Sequence, residues 1–85
     1  MKSFTYTVQD ELGIHARPAV MLAKAAAGYK SVVTIDNGTK KADAKRLMAI
    51  MGMGVKKGTT VTVTVEGEDE DAACAAMEEF FKSNL

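Results

Sequence analysis

Thr60-Val61-Thr62-Val63-Thr64-Val65 constrains this chain more than any other stretch. Strict alternation has the period of a β-strand, whose successive side chains point to opposite faces. All three valines therefore share one face and all three threonines the other. Such a strand belongs to a sheet with one dry and one wet side, so the helices of the chain must gather on the valine side. The expected architecture is a two-layer, open-faced arrangement of α+β class.

The remaining elements fit that frame. Phe4-Thr5-Tyr6-Thr7-Val8 alternates in the same way and predicts a first strand. An alanine-rich run from Ala16 to Ala27 predicts a helix, with Pro18 tolerated in its first turn, Gly28 as its stop and Tyr29 packing back. Ser31 to Asp36 is β-branched and predicts a second strand. Asn37-Gly38 then signals a hairpin with a type I′ turn, and Thr39 to Asp43 returns as a lysine-rich edge strand. Ala44 to Met51 predicts a short helix, N-capped by Asp43 and ended by Gly52 or Gly54. Lys57-Gly58 turns the chain into the alternating strand, which Gly67 closes. The last helix opens on Glu68-Asp69-Glu70-Asp71, with Ala73, Ala76, Met77 and Phe80 as its buried stripe and Cys74 and Phe81 flanking it. The order is βαββαβα, in one domain spanning residues 1–85.

Several function classes fall away on composition. Eleven basic and eleven acidic side chains cancel, which argues against a nucleic-acid binder held by phosphate contacts. No apolar run has the roughly 20 residues of a membrane span, and the first residues lead into a strand instead of a signal peptide. One cysteine forms no internal disulfide, and no Cys/His cluster marks a metal site; the acidic run at 68–71 lacks the glycine and spaced ligands of a calcium loop and reads as charge complementing a helix start. The expectation is a small cytoplasmic domain, monomeric, without cofactor or metal, nucleic-acid binding or membrane insertion.

His15, the only histidine, stands where the first loop meets the alanine-rich helix. A helix start leaves backbone N–H groups without intrahelical acceptors, and those groups receive anions. Imidazole is a nucleophile largely neutral near pH 7. The N–H groups of Ala16 and Arg17 can take phosphoryl oxygens, and the Arg17 guanidinium can add charge-assisted bonds to them. Phosphoryl transfer needs mostly positioning and electrostatics, so no further catalytic side chain is required.

Gly13-Ile14-His15-Ala16-Arg17-Pro18-Ala19 resembles the active-site motif of the HPr family, the histidine-containing phosphocarriers of the bacterial phosphoenolpyruvate:sugar phosphotransferase system. The resemblance extends along the chain through the Asn37-Gly38 hairpin, Leu47-Met48, Gly54, Lys57-Gly58 and Gly67-Glu68-Asp69-Glu70. It implies an open-faced β-sandwich with strand order 1-4-2-3. It further implies that Enzyme I phosphorylates His15 at Nδ1, that sugar-specific EIIA domains then take the phosphoryl group, and that Arg17 is the active-site arginine. The chain would be a phosphocarrier with no small-molecule turnover of its own.

Leu47, Met48, Ile50 and Met51 give the short helix more apolar side chains than one buried stripe needs. The residues alone allow all of them to be core, with methionines as gap fillers. The resemblance implies instead that Ile50 is buried while Leu47, Met48 and Met51, joined by Val20, form an exposed docking face rimmed by Lys24, Lys45 and Arg46. A flexible methionine-rich face suits several unrelated partners, and the cations would meet acidic partner surfaces; Lys40 and Lys41 read as solvated charges. Arg46 stands where Gram-positive members carry a regulatory serine, so that serine-kinase role does not carry over, and Ser31 and Ser83 do not replace it. The alternatives are an HPr-like regulatory interaction module and a paralogue of a nitrogen-regulatory branch.

Overall fold

The computed structural model of the chain describes residues 1–14 and 16–85. Four strands and three helices follow in the order β1 (Lys2–Thr7), α1 (Ala16–Ala27), β2 (Val32–Asp36), β3 (Lys41–Asp43), α2 (Leu47–Gly52), β4 (Thr60–Glu66) and α3 (Glu70–Asn84). The strands form one antiparallel sheet ordered β1-β4-β2-β3, with the alternating strand in its interior. Register places Phe4 and Ile35 on either side of Val63, so the apolar face is continuous across three strands. Val61, Val63, Val65, Val33 and Ile35 are fully buried beneath the helices. On the opposite, open face Thr5, Thr7, Thr60 and Thr62 are exposed, and the Thr7 and Thr60 hydroxyls hydrogen-bond at 2.9 Å.

The helices bury small or long apolar side chains as the distance to the sheet demands. α1 turns Pro18, Ala19, Leu22 and Ala26 inward, and its alanines allow close approach. α3 buries Ala73, Met77 and Phe81, a correction to the expected stripe, since Ala76 and Phe80 are only half-buried. The reason lies in the sheet. Phe81 meets Phe4 and Tyr6 edge to face at 5.7 and 5.8 Å, and Phe80 packs on its flank at 6.2 Å. A phenylalanine so enclosed is worth roughly 3–5 kcal/mol against alanine.

Other boundaries also shift. β1 ends at Thr7, and Val8 is buried just beyond it, its N–H donating to the Thr59 carbonyl at 2.9 Å. The hairpin is not type I′. Asn37 lacks the positive φ that turn requires, and Asp36 pairs with Lys41, leaving a four-residue loop and shortening the edge strand to Lys41–Asp43. The Asn37 side chain explains the longer loop, because its Oδ1 accepts from the Thr39 and Lys40 N–H groups at 2.9 and 2.7 Å.

α2 begins at Leu47, later than expected, with Arg46 and not Asp43 at its N-cap and no side chain capping it. Asp43 closes the turn before the helix, accepting from the Lys45 N–H at its carboxylate and from the Arg46 N–H at its carbonyl. α3 begins at Glu70, so only Glu70 and Asp71 of the acidic run lie in its first turn. Asp69 is diverted to the connection between α1 and β2. Its carboxylate accepts the Lys30 and Ser31 N–H groups at 2.9 Å each, and also the Ser31 hydroxyl. Those bonds, the Ser31 hydroxyl foremost, hold its carboxyl below the usual range.

Candidate functional site

The loop leaving β1 is held from three sides. Leu85 supplies an oxygen that accepts the Gln9 and Asp10 N–H groups at 2.5 and 2.7 Å. Asp10 closes a turn by accepting the Leu12 N–H at its carboxylate and the Gly13 N–H at its carbonyl, both at 2.9 Å. The buried Ile14 donates its N–H to the Val55 carbonyl at 3.1 Å. Gly13 adopts φ +67, and a Cβ there would sit 2.2 Å from that same carbonyl oxygen, so only glycine fits between the loop and Val55.

His15 lies outside the described residues. On its C-terminal side α1 opens with Ala16 and Arg17, both exposed. The first N–H groups of the helix point back along its axis, which is the arrangement that receives anions. Arg17 takes part in none of the ion pairs among the described residues, and with Asp10, Pro18, Met21 and Asn84 it lines an open depression of about 260 Å³.

α2 packs against α1. Ile50 is fully buried, whereas Met48 is 78% and Met51 42% exposed, three residues apart and therefore adjacent on the helix surface. Leu47 and Val20, expected at the exposed face, are half-buried, and Leu47 packs against the core. Lys24, Lys45 and Arg46 are exposed, as are Lys40 and Lys41.

Three residues escaped the reading of the sequence. Met21, 42% exposed, shares the depression with Arg17, from which it is one helical turn away; that i, i+4 spacing was the available signal. Leu12 is 70% exposed at the tip of the Asp10 turn, an apolar side chain in an otherwise polar loop. Asn37 donates its Nδ2 to the Met53 carbonyl at 3.1 Å and so ties the hairpin to the end of α2, for which the sequence offers no signal beyond the turn itself. Among the described residues no group of three or more His, Cys, Asp or Glu side chains is placed to hold a metal ion, and no helix is long and apolar enough to cross a membrane.

The family described as "PTS HPr component phosphorylation site" matches residues 2–83. The chain is similar to the phosphocarrier protein HPr of Lysinibacillus sphaericus, with 43% identity over 77 residues covering 91% of this chain and 88% of that one. It is similar to the HPr of Mycoplasma capricolum, with 38% identity over 79 residues covering 93% and 89%. Among solved structures, a histidine-containing phosphocarrier protein of Mycoplasma superposes with a TM-score of 0.94 at 35% identity, over 96% of this chain and 93% of the other.

Proposed function

Because the chain belongs to the HPr family, the phosphocarriers of the phosphotransferase system, we propose that His15 accepts a phosphoryl group from phosphorylated Enzyme I and passes it to sugar-specific EIIA domains in the cytoplasm. The imidazole lone pair, at Nδ1 by family likeness, forms a bond to phosphorus as the donor's bond breaks. The reverse exchange delivers the group to the acceptor. Backbone N–H groups of Ala16 and Arg17 and the Arg17 guanidinium receive the phosphoryl oxygens. The resulting P–N bond suits relay, since transfer asks mostly for positioning and charge.

One observation carries the proposal most directly: Arg17, exposed at the start of a twelve-residue helix, lines an open depression immediately after the motif histidine in sequence. Docking follows from the methionines of α2, which lie outside the core while Ile50 anchors the helix from within. Leu47 and Val20 border that surface, and Lys24, Lys45 and Arg46 rim it with positive charge that speeds encounter with acidic partners. A single copy of the chain carries all of these residues.

Incubation with Enzyme I and phosphoenolpyruvate, followed by intact-mass spectrometry, tests the reading. The chain should gain one acid-labile phosphoryl group, His15→Ala should gain none, and Arg17→Glu should gain it at least tenfold more slowly while melting normally. Absence of the group from the parent chain, or its presence in His15→Ala, would overturn the assignment and favour a binding module that holds partners without turning over phosphate.

A further inference from the structure

Six methionines are an unusual load for 85 residues, and the fold divides them sharply. Met53 and Met77 are buried at 6% and 0% exposure, whereas Met48, Met51 and Met21 present their thioethers to solvent beside Arg17 and on the outer face of α2. Met1 is exposed too, but it precedes β1 at the end of the sheet where Lys2 pairs with Val65, away from the loop that leads to His15. A thioether is apolar and adaptable in a docking surface; its sulfoxide is polar, stiffer and a strong hydrogen-bond acceptor.

α1, which carries Met21, packs against α2, which carries Met48 and Met51. We propose that Met48, Met51 and Met21 form an oxidation-sensitive patch through which peroxide reversibly weakens partner docking and so slows phosphotransfer. The inference rests on the docking role given above to α2. In each step a sulfur lone pair attacks one oxygen of hydrogen peroxide, the O–O bond breaks, and the S–O bond of the sulfoxide forms. The other oxygen leaves as water after proton transfer. The sulfur gives up two electrons and the peroxide receives them. Reversal consumes a dithiol, which becomes a disulfide as the sulfoxide oxygen departs as water.

The single thiol does not divert the oxidant. Cys74 is half-buried on α3, and burial, with Glu78 close by, raises its pKa and so lowers the thiolate fraction that reacts with peroxide.

The test uses the full chain in a Cys74→Ala background, with Enzyme I as phosphoryl donor. After hydrogen peroxide, peptide mass spectrometry should find oxygen added at Met21, Met48, Met51 and Met1 and not at Met53 or Met77. The KM with which Enzyme I uses the chain should rise about tenfold, the effect of a change near 1.4 kcal/mol in docking. Methionine sulfoxide reductase with dithiothreitol should restore it. The readout is the treated-to-untreated ratio for each protein, so the basal rate of a variant cancels. Met21→Leu/Met48→Leu/Met51→Leu, a volume-conserving change, should show a ratio near one, and Met1→Leu should respond like the parent.

Sulfoxides at the three residues with no change in KM would overturn the proposal, as would a peroxide loss that persists in the leucine variant or a failure of the three residues to oxidise first. Met48→Asp, measured alongside, separates the two levels. If it raises KM while the sulfoxides do not, the oxidation proposal alone fails. If neither changes KM, the docking role of α2 fails with it.

Discussion

A methyl group added at Gly13 would sit 2.2 Å from the Val55 carbonyl oxygen and 2.7 Å from the Lys56 Cα, both backbone atoms that cannot swing aside. Gly54 has nearly the same left-handed conformation, φ +65 against +67, yet a methyl there would meet nothing within 4 Å. The pair separates two physical costs. Gly54→Ala carries only the left-handed penalty, about 1 kcal/mol. Gly13→Ala adds the displacement of Val55, and with it the Ile14 N–H bond, for a total of roughly 2–4 kcal/mol. Urea unfolding should resolve that difference. Gly13 lies two residues before His15, so its variant should also lose phosphotransfer at temperatures where it remains folded, and Gly54→Ala should not. Equal unfolding midpoints for the two variants would show that the loop yields where the structure has it fixed.

Among the elements, α2 depends most on its neighbours. Six residues without a side-chain cap, and with the cation of Arg46 at the positive end of the helix dipole, would not persist alone. Ile50 anchors the helix from below, and the Asn37 Nδ2 holds the Met53 carbonyl at its end. Asn37→Asp keeps an oxygen for the Thr39 and Lys40 N–H groups but sets a carboxylate against that carbonyl. Exchange of the α2 amides, Ile50 above all, should then quicken by about tenfold in hydrogen–deuterium exchange, with β4 unaffected. A uniform quickening would mean that the bond supports the whole fold instead of α2 alone.

The same contrast explains what was legible beforehand. α1 spans Ala16–Ala27 as expected, because alanine content, an early proline and a following glycine are local signals that agree. The valines of β4 needed only their period. α2 begins three residues later than its composition suggests, because Asp43 can cap either a turn or a helix and tertiary pairing of Ala44 with Val33 decides for the turn. The carboxamide of Asn37 and the carboxylate of Asp69 serve partners 16 and 38 residues away, distances at which composition and period say nothing. Met48 and Met51 are exposed as expected, whereas the exposure of Met21 and Leu12 depends on how the chain packs, which composition and period do not give.

Across the molecule, the two ends of the sheet carry different burdens. Thr7 pairs with Thr60 at the end that leads to the site, while Lys2 pairs with Val65 and Val32 with Glu66 at the other. At that second end Asp69 clasps the connection from α1 to β2 onto the one from β4 to α3, and it accepts from Ser31, the one buried polar side chain among the described residues. Its pKa is lowered in the folded chain, first by the Ser31 hydroxyl and then by the Lys30 N–H. The unfolded value is about 3.9. The sign follows from linkage: a carboxylate whose folded pKa is depressed stabilises the fold above the unfolded pKa, and that stability drains away as pH falls through the lower, folded value. Glu70 shifts in the same direction through the Met1 amine, but it is common to parent and variant and cancels in their difference. At pH 7, Asp69→Asn should therefore melt roughly 4–8 °C below the parent, the size expected when a buried hydroxyl and two N–H groups lose a charged acceptor. The gap should narrow steadily below pH 4 as the parent's own carboxylate protonates. Phosphotransfer at 25 °C should be unchanged, since the clasp lies at the end of the sheet away from Arg17. Thermal melts from pH 7 to 2.5 measure this directly, and a gap that stays constant over that range would mean that the side chain holds the two connections by shape and not by its charge.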